Sequence, residues 1–216
     1  MSIQGVINTA SRLEVIRNEV VAQTITRSGR IYTAVRDTVK PWQFKVTPSD
    51  VYPWELVRPA VESVSSTDRY NEVTISFSQT GQEWMFKYQG VLTASQISNN
   101  VTITGANLKT ITASLSGTAT SLASNSVLFY AGDIIQPLQN SHRYPYVVTS
   151  NVVKGATNTI SIPIHRNIIG SITGGGIRVG PDCEFKIIVT RSPSYQLIPG
   201  KLVQFTGDFE LLENVL

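Results

Sequence analysis

Apolar and polar residues alternate with a period of two along most of the chain, the signature of strands with one buried face. Trp42, Phe44 and Val46 alternate with Gln43 and Lys45. Val73, Ile75 and Phe77 alternate with Thr74, Ser76 and Ser78, and the turn Gln79-Thr80-Gly81-Gln82 follows. Trp84, Phe86 and Tyr88 then alternate with Met85 and Lys87. Two such runs around a glycine turn predict a β-hairpin, and the alternation assigns Trp42 and Trp84 to the core. One segment breaks the pattern. Asp50 can cap a helix, Pro53 is tolerated in a first turn, and Trp54, Val57 and Val61 fall at i, i+3 and i+7. These positions predict one short helix over roughly residues 50–64, lying across the sheet, although Pro59 would break or kink its interior.

Residues 91–126 have a different texture, with Lys109 as their only charge. Val101 and Ile103 alternate, as do Ile111, Ala113 and Leu115, amid Ser, Thr, Asn and Gln. The segment reads either as light strands with an all-hydroxyl outer face, suited to a buried subunit interface, or as a flexible linker. Heavier strands resume at Leu128-Phe129-Tyr130, at Tyr144, Tyr146 and Val148, and at Ile160, Ile162 and Ile164. Gly174-Gly175-Gly176 precedes Ile177 and Val179, and Cys183 alternates with Phe185, Ile187 and Val189 as a small core residue. Leu202, Phe205, Phe209 and Leu211 close the chain. The expected fold class is mainly β, a β-sandwich with one short helix plus a second small β-barrel-like region. The expected units are residues 1–126 and 127–216, with one continuous fold as the alternative.

Composition narrows the functional classes. Of 216 residues 41% are apolar but only 15% charged, against about 25% charged in ordinary globular domains. The polarity comes from 22 Ser and 22 Thr, which suits a surface packed against other subunits. Net charge is +3, an excess matched by the first forty residues, where Arg12, Arg17, Arg27, Arg30, Arg36 and Lys40 face Glu14, Glu19 and Asp37. This is too weak a balance to predict nucleic-acid binding; it predicts an arm or edge that meets an acidic neighbour. A lone cysteine excludes an intrachain disulfide. No signal-peptide pattern opens the sequence, and no apolar run approaches the roughly 18 residues of a membrane span. Synthesis in a cytoplasm, without membrane insertion, is expected.

Candidate chemistry is sparse. His142 and His165 are the only histidines, too few for a zinc cluster, and His165 reads as a strand end. Asp182 and Glu184 flank Cys183 on the face opposite the core. No Gly-x-Ser-x-Gly elbow is present, and the triple glycine lacks the Gly-Lys-Ser/Thr ending of a phosphate loop. The expectation is a non-enzyme with no cofactor, no metal and no small-molecule substrate. The remaining candidate is the basic tip Arg27, Ser28, Gly29, Arg30 with Tyr32. Such a tip can grip phosphate or single-stranded nucleic acid, but without a second aromatic platform a subunit contact is the better expectation.

The order of several motifs resembles that of a group of tailed-bacteriophage virion proteins. Thr26-Arg27-Ser28-Gly29-Arg30 precedes Pro41-Trp42-Gln43-Phe44-Lys45-Val46-Thr47-Pro48 and a short helix. Ala131-Gly132-Asp133-Ile134-Ile135-Gln136, Tyr146-Val147-Val148-Thr149, Pro163-Ile164-His165-Arg166 and Phe205-Thr206-Gly207-Asp208-Phe209-Glu210 follow. The chain is thereby similar in plan to distal tail proteins and tail adaptors. The resemblance implies a non-catalytic tail or baseplate component of the virion, forming rings with copies of itself and contacting other virion proteins. The low charge of residues 91–126 departs from that plan. A head decoration or neck protein of the same particle, and a carbohydrate-binding β-sandwich using Trp54, Trp84 and tyrosines, are the alternative expectations.

Overall fold

The computed structural model describes residues 3–16, 21–25, 31–35, 41–49, 51–65, 72–78, 81, 83–138, 144–172 and 174–215, with 21–25, 31–35 and 63–65 described by backbone alone. Helix α1 (Ile3–Asn8) leads into strands β1 (Arg12–Ile16), β2 (Val21–Ile25), β3 (Ile31–Val35), β4 (Gln43–Thr47) and β5 (Tyr52–Pro53). Helix α2 (Trp54–Ser65), strand β6 (Val73–Ser76) and helix α3 (Ala94–Asn100) follow. Next come β7 (Val101–Asn107), β8 (Thr110–Leu115), β9 (Val127–Phe129), β10 (Ile134–Pro137), β11 (Tyr146–Val147) and β12 (Val152–Val153). The chain then forms β13 (Thr159–Pro163), β14 (Ile177–Val179), β15 (Glu184–Arg191), β16 (Ser194–Ile198), β17 (Leu202–Thr206) and β18 (Phe209–Glu213). The protein is mainly β, as the alternation predicts. No sheet among the described residues closes into a barrel, which corrects the expected barrel-like second region.

The largest sheet has the order β1-β4-β18-β15-β6, every neighbour antiparallel. Its register stacks apolar residues on one face, with Phe44 opposite both Val15 and Leu211, Val46 opposite Phe209, and Phe185 opposite Ile75. Phe44 and Phe185 meet edge to face at 5.1 Å between ring centroids, and Phe77 and Phe86 lie 4.9 Å apart. Each such ring, fully buried, contributes about 1.5–3 kcal/mol from its apolar surface alone.

Helix α2 packs Val57, Ala60 and Val61 into this cluster. Pro59 lies inside the helix rather than ending it. A proline there costs about 3 kcal/mol, and burial of two valines and an alanine on the same helix offsets it. The expected span of 50–64 is close to that observed, although the expected cap, Asp50, lies outside the described residues. Two further helices, α1 and α3, were not expected. Helix α3 is set by a capping box in which Gln96 N–H donates to Thr93 Oγ1 and Thr93 N–H donates to Gln96 Oε1.

The expected hairpin over residues 73–88 is not formed. β6 pairs instead with β15, more than a hundred residues away, and Glu83–Phe86 is a 3-10 turn. Phe77 and Phe86 remain core residues, but Trp84 is 73% exposed, which corrects its assignment to the core. The turn residues Gln79, Thr80 and Gln82 lie outside the described residues.

The apolar residues form two clusters that do not divide at residues 126 and 127. One joins the first part of the chain, from Ile3 to Phe86, to Cys183–Leu211 and includes Ile134 and Val147. The other is built by Leu92 to Val179, on both sides of that boundary. Residues 91–126 are therefore folded, not linker. β7 and β8 form a hairpin, β13 adds to β8, and Val101, Ile103, Ile111, Ala113 and Leu115 all point into the second cluster. On the other face, Thr102, Thr104, Thr112 and Ser114, joined by Thr159 and Ser161 of β13, form an outer surface of hydroxyls without a charge.

Candidate interaction surface

β1 and β4 are antiparallel neighbours in the main sheet, with Ile16 opposite Gln43 at the end of their ladder. Between them in sequence, β2 and β3 form a two-stranded sheet of their own, with Val21 opposite Val35, Gln23 opposite Thr33 and Ile25 opposite Ile31. The ten residues of the two strands include no charge and are rich in β-branched types. The result is a two-stranded ribbon that lies between β1 and β4 in sequence and forms a sheet of its own. Of the expected contact residues, Tyr32 falls on β3 opposite Thr24. Arg27, Ser28, Gly29 and Arg30 fall between the strands and lie outside the described residues, as does His142.

Sheet edges decide where such a ribbon can add, because an open edge presents unpaired N–H and C=O groups. At the β6 edge, the Gln4 side chain takes both free groups of Ser76: Ser76 N–H donates to Gln4 Oε1 at 2.8 Å, and Gln4 Nε2 donates to the Ser76 carbonyl at 2.8 Å. Gln136 does the same at Glu184, accepting its N–H at 3.0 Å and donating to its carbonyl at 2.6 Å. The β1 edge carries the charges of Arg12 and Glu14. β16 differs. It is the outer strand of the β16-β17-β5 sheet, holds no charged residue, and is exposed along most of its length. Tyr195 is 41% and Leu197 62% exposed, and Trp54 stacks on Tyr195 at 5.4 Å.

The charged residues that sequence reasoning missed are buried. Glu213 follows Phe209 and Leu211 on the inward face of β18, and its carboxylate accepts from Arg166 Nη1 at 2.5 Å, Arg166 Nη2 at 2.7 Å and the Trp42 N–H at 3.0 Å. Arg166 Nη2 and the Trp42 indole both donate to the Pro145 carbonyl, at 2.9 and 3.2 Å. The guanidinium lies over the Tyr146 ring. Neither side chain of the Arg166–Glu213 pair has any exposure, so no solute reaches it. It fastens the second cluster's chain to the first cluster's sheet. His165, placed at a strand end as expected, accepts the Val147 N–H on Nδ1 at 3.0 Å and packs against Trp42.

Asp133 accepts from the backbone N–H groups of Tyr130 and Gln89 at 2.8 and 3.1 Å, holding the turn before β10. Burial pushes its carboxyl above the usual value, against the opposing pull of those two donors. Cys183 is buried as expected, and burial pushes its thiol up, which makes it a poor nucleophile. Asp182 is exposed and Glu184 pairs with Arg178 at 2.7 Å, on the far side of the strand from the core. Arg178, Asp182 and Glu184 border an open cleft of about 450 Å³ with Ser76, Ser95 and Ser98. Among the described residues no group of three or more His, Cys, Asp and Glu is placed to hold a metal ion, and no helix is long and apolar enough to cross a membrane.

Compared with family models and with curated proteins, the sequence matches none.

Proposed function

We propose that this chain is a structural subunit of a bacteriophage particle, a tail or baseplate ring component that assembles through contacts between copies. The observation that carries the reading is the β2–β3 ribbon, two uncharged strands that form a sheet of their own. A strand pair of this kind gains most by pairing outside its own sheet, and its lack of charge leaves no ion to desolvate when it does. The charge-free hydroxyl face of β7, β8 and β13 supports the same reading, since it can be covered by another subunit at little electrostatic cost. A ring follows when one patch meets a different patch on the next copy and the rotation closes. The role needs no catalytic group, cofactor, nucleic acid or membrane.

Light scattering of the purified chain over a range of concentrations tests the reading. The expected result is a discrete ring-sized oligomer. The Arg27→Glu/Arg30→Glu variant, with the tip charge reversed, is expected to stay monomeric with an unchanged circular-dichroism spectrum. A wild-type chain that remains monomeric at every concentration overturns the reading.

A further inference from the structure

We infer that the β16 edge is the acceptor for the ribbon of a second copy, so that the contact between subunits is an intermolecular β-sheet joining β2 or β3 of one chain to β16 of the next. The inference rests on the ring-subunit reading and names the surface it requires. Three observations favour this edge over the two outer edges of the largest sheet. The β6 edge is closed at Ser76 by the Gln4 amide, and the β1 edge carries Arg12 and Glu14, both devices that stop a strand from adding. β16 carries neither; it is Ser-Tyr-Gln-Leu-Ile, exposed over its first four residues, with Pro193 and Pro199 bounding the open length.

The second observation is the match between donor and acceptor. β2, β3 and β16 are each five residues long, and none contains a charge. Strands of equal length and zero charge can pair in full without stranding an ion in the new interface. The third is the apolar shelf beside β16. Leu197 is more than half exposed, and Trp54 and Tyr195 extend the shelf as a stacked pair. An added strand would lie beside that shelf. Donor and acceptor lie on different sheets of one chain, which makes the contact heterologous, the type from which rings close.

A complementation experiment tests this. The acceptor variant is Ser194→Lys/Leu197→Lys, two exposed positions where lysine blocks strand addition without entering the core. The donor variant replaces residues 21–35 with a short Gly-Asn-Gly turn. Each variant alone is expected to be monomeric, and Leu197→Lys alone to weaken assembly, with folding checked by circular dichroism. Mixing the two variants leaves one working donor and one working acceptor, so the expected product is a 1:1 complex of about twice the monomer mass of 23.7 kDa that grows no further. If the wild-type chain assembles and the acceptor variant does too, the β16 assignment falls while the ring-subunit reading stands. Dimers of the donor variant alone would replace the assignment with a β16–β16 pairing. A mixture that stays monomeric refutes the donor–acceptor match, and a monomeric wild-type chain removes both proposals.

Discussion

The Arg166–Glu213 pair allows a quantitative test of how the two apolar clusters are joined. Changing Glu213→Gln keeps the shape of the side chain and an oxygen for the Trp42 N–H but leaves the guanidinium buried without its counter-charge. Changing Arg166→Met leaves the carboxylate with the Trp42 N–H alone among its named donors. Removing one partner of a buried pair costs about 3–5 kcal/mol. For a chain of this length each kcal/mol lowers the melting temperature by about 2–4 °C, so each single change should lower it by about 6–20 °C. The double variant Arg166→Met/Glu213→Gln removes both charges together. The Pro145 carbonyl keeps the Trp42 indole, and the Trp42 N–H keeps an acceptor, so the cost should be only about 1–3 kcal/mol. The double variant is thus expected to be more stable than either single variant, a strongly non-additive cycle. Thermal unfolding of the four proteins at neutral pH measures it. Single changes that each cost under 1 kcal/mol, or a double that costs the sum, would refute the reasoning.

Two further outcomes follow from groups already described. Because burial raises the Asp133 carboxyl in the folded state, its contribution to stability is fully present below the unfolded value of 3.8 and is lost as pH rises through the raised folded value. Wild type should therefore gain stability relative to Asp133→Asn as pH falls from 7 toward 4 in urea titrations, and a gap that narrows on acidification would contradict this sign. Replacing Gln136 by Ala strips Glu184 of both backbone partners and should cost about 2 kcal/mol, while Gln136→Glu, which keeps the acceptor but loses the donor, should not restore it; chemical unfolding of the two variants would expose the error if either matched wild type.

Alternation was legible wherever a strand has one buried face and one wet face, as in β4, β8, β13 and β15. The helical stripe of α2 was legible as well, because Trp54, Val57 and Val61 outweigh Pro59. The hairpin over residues 73–88 misled because a period of two states that a run is half-buried, not which strand it pairs with. Phe185 and Ile187 compete for β6 from the far end of the chain, and their packing against Ile75 and Val73 prevails over a local turn. Helix α3 carried its signal in Thr93 and Gln96, a capping pair just before the alternation of Val101 and Ile103 draws the eye. The Arg166–Glu213 pair had no local signature at all, since its members are 47 residues apart and each looks like a surface charge. Of the candidate site, the sequence marked the turn between β2 and β3, but the edges that could receive it are set by amides and registers that only folding brings together.

The way the two clusters share the chain sets an order on its synthesis. Leu92 to Val179 can complete their cluster from one continuous stretch of nascent chain. Trp42, Phe44 and Val46 cannot, because their sheet partners Phe209 and Leu211 are translated near the end. At about 5–20 residues per second the wait from Phe44 to Leu211 is on the order of ten to thirty seconds. Throughout that interval an early aromatic strand has β1 beside it but not its other sheet neighbour, while the middle of the chain is already free to fold.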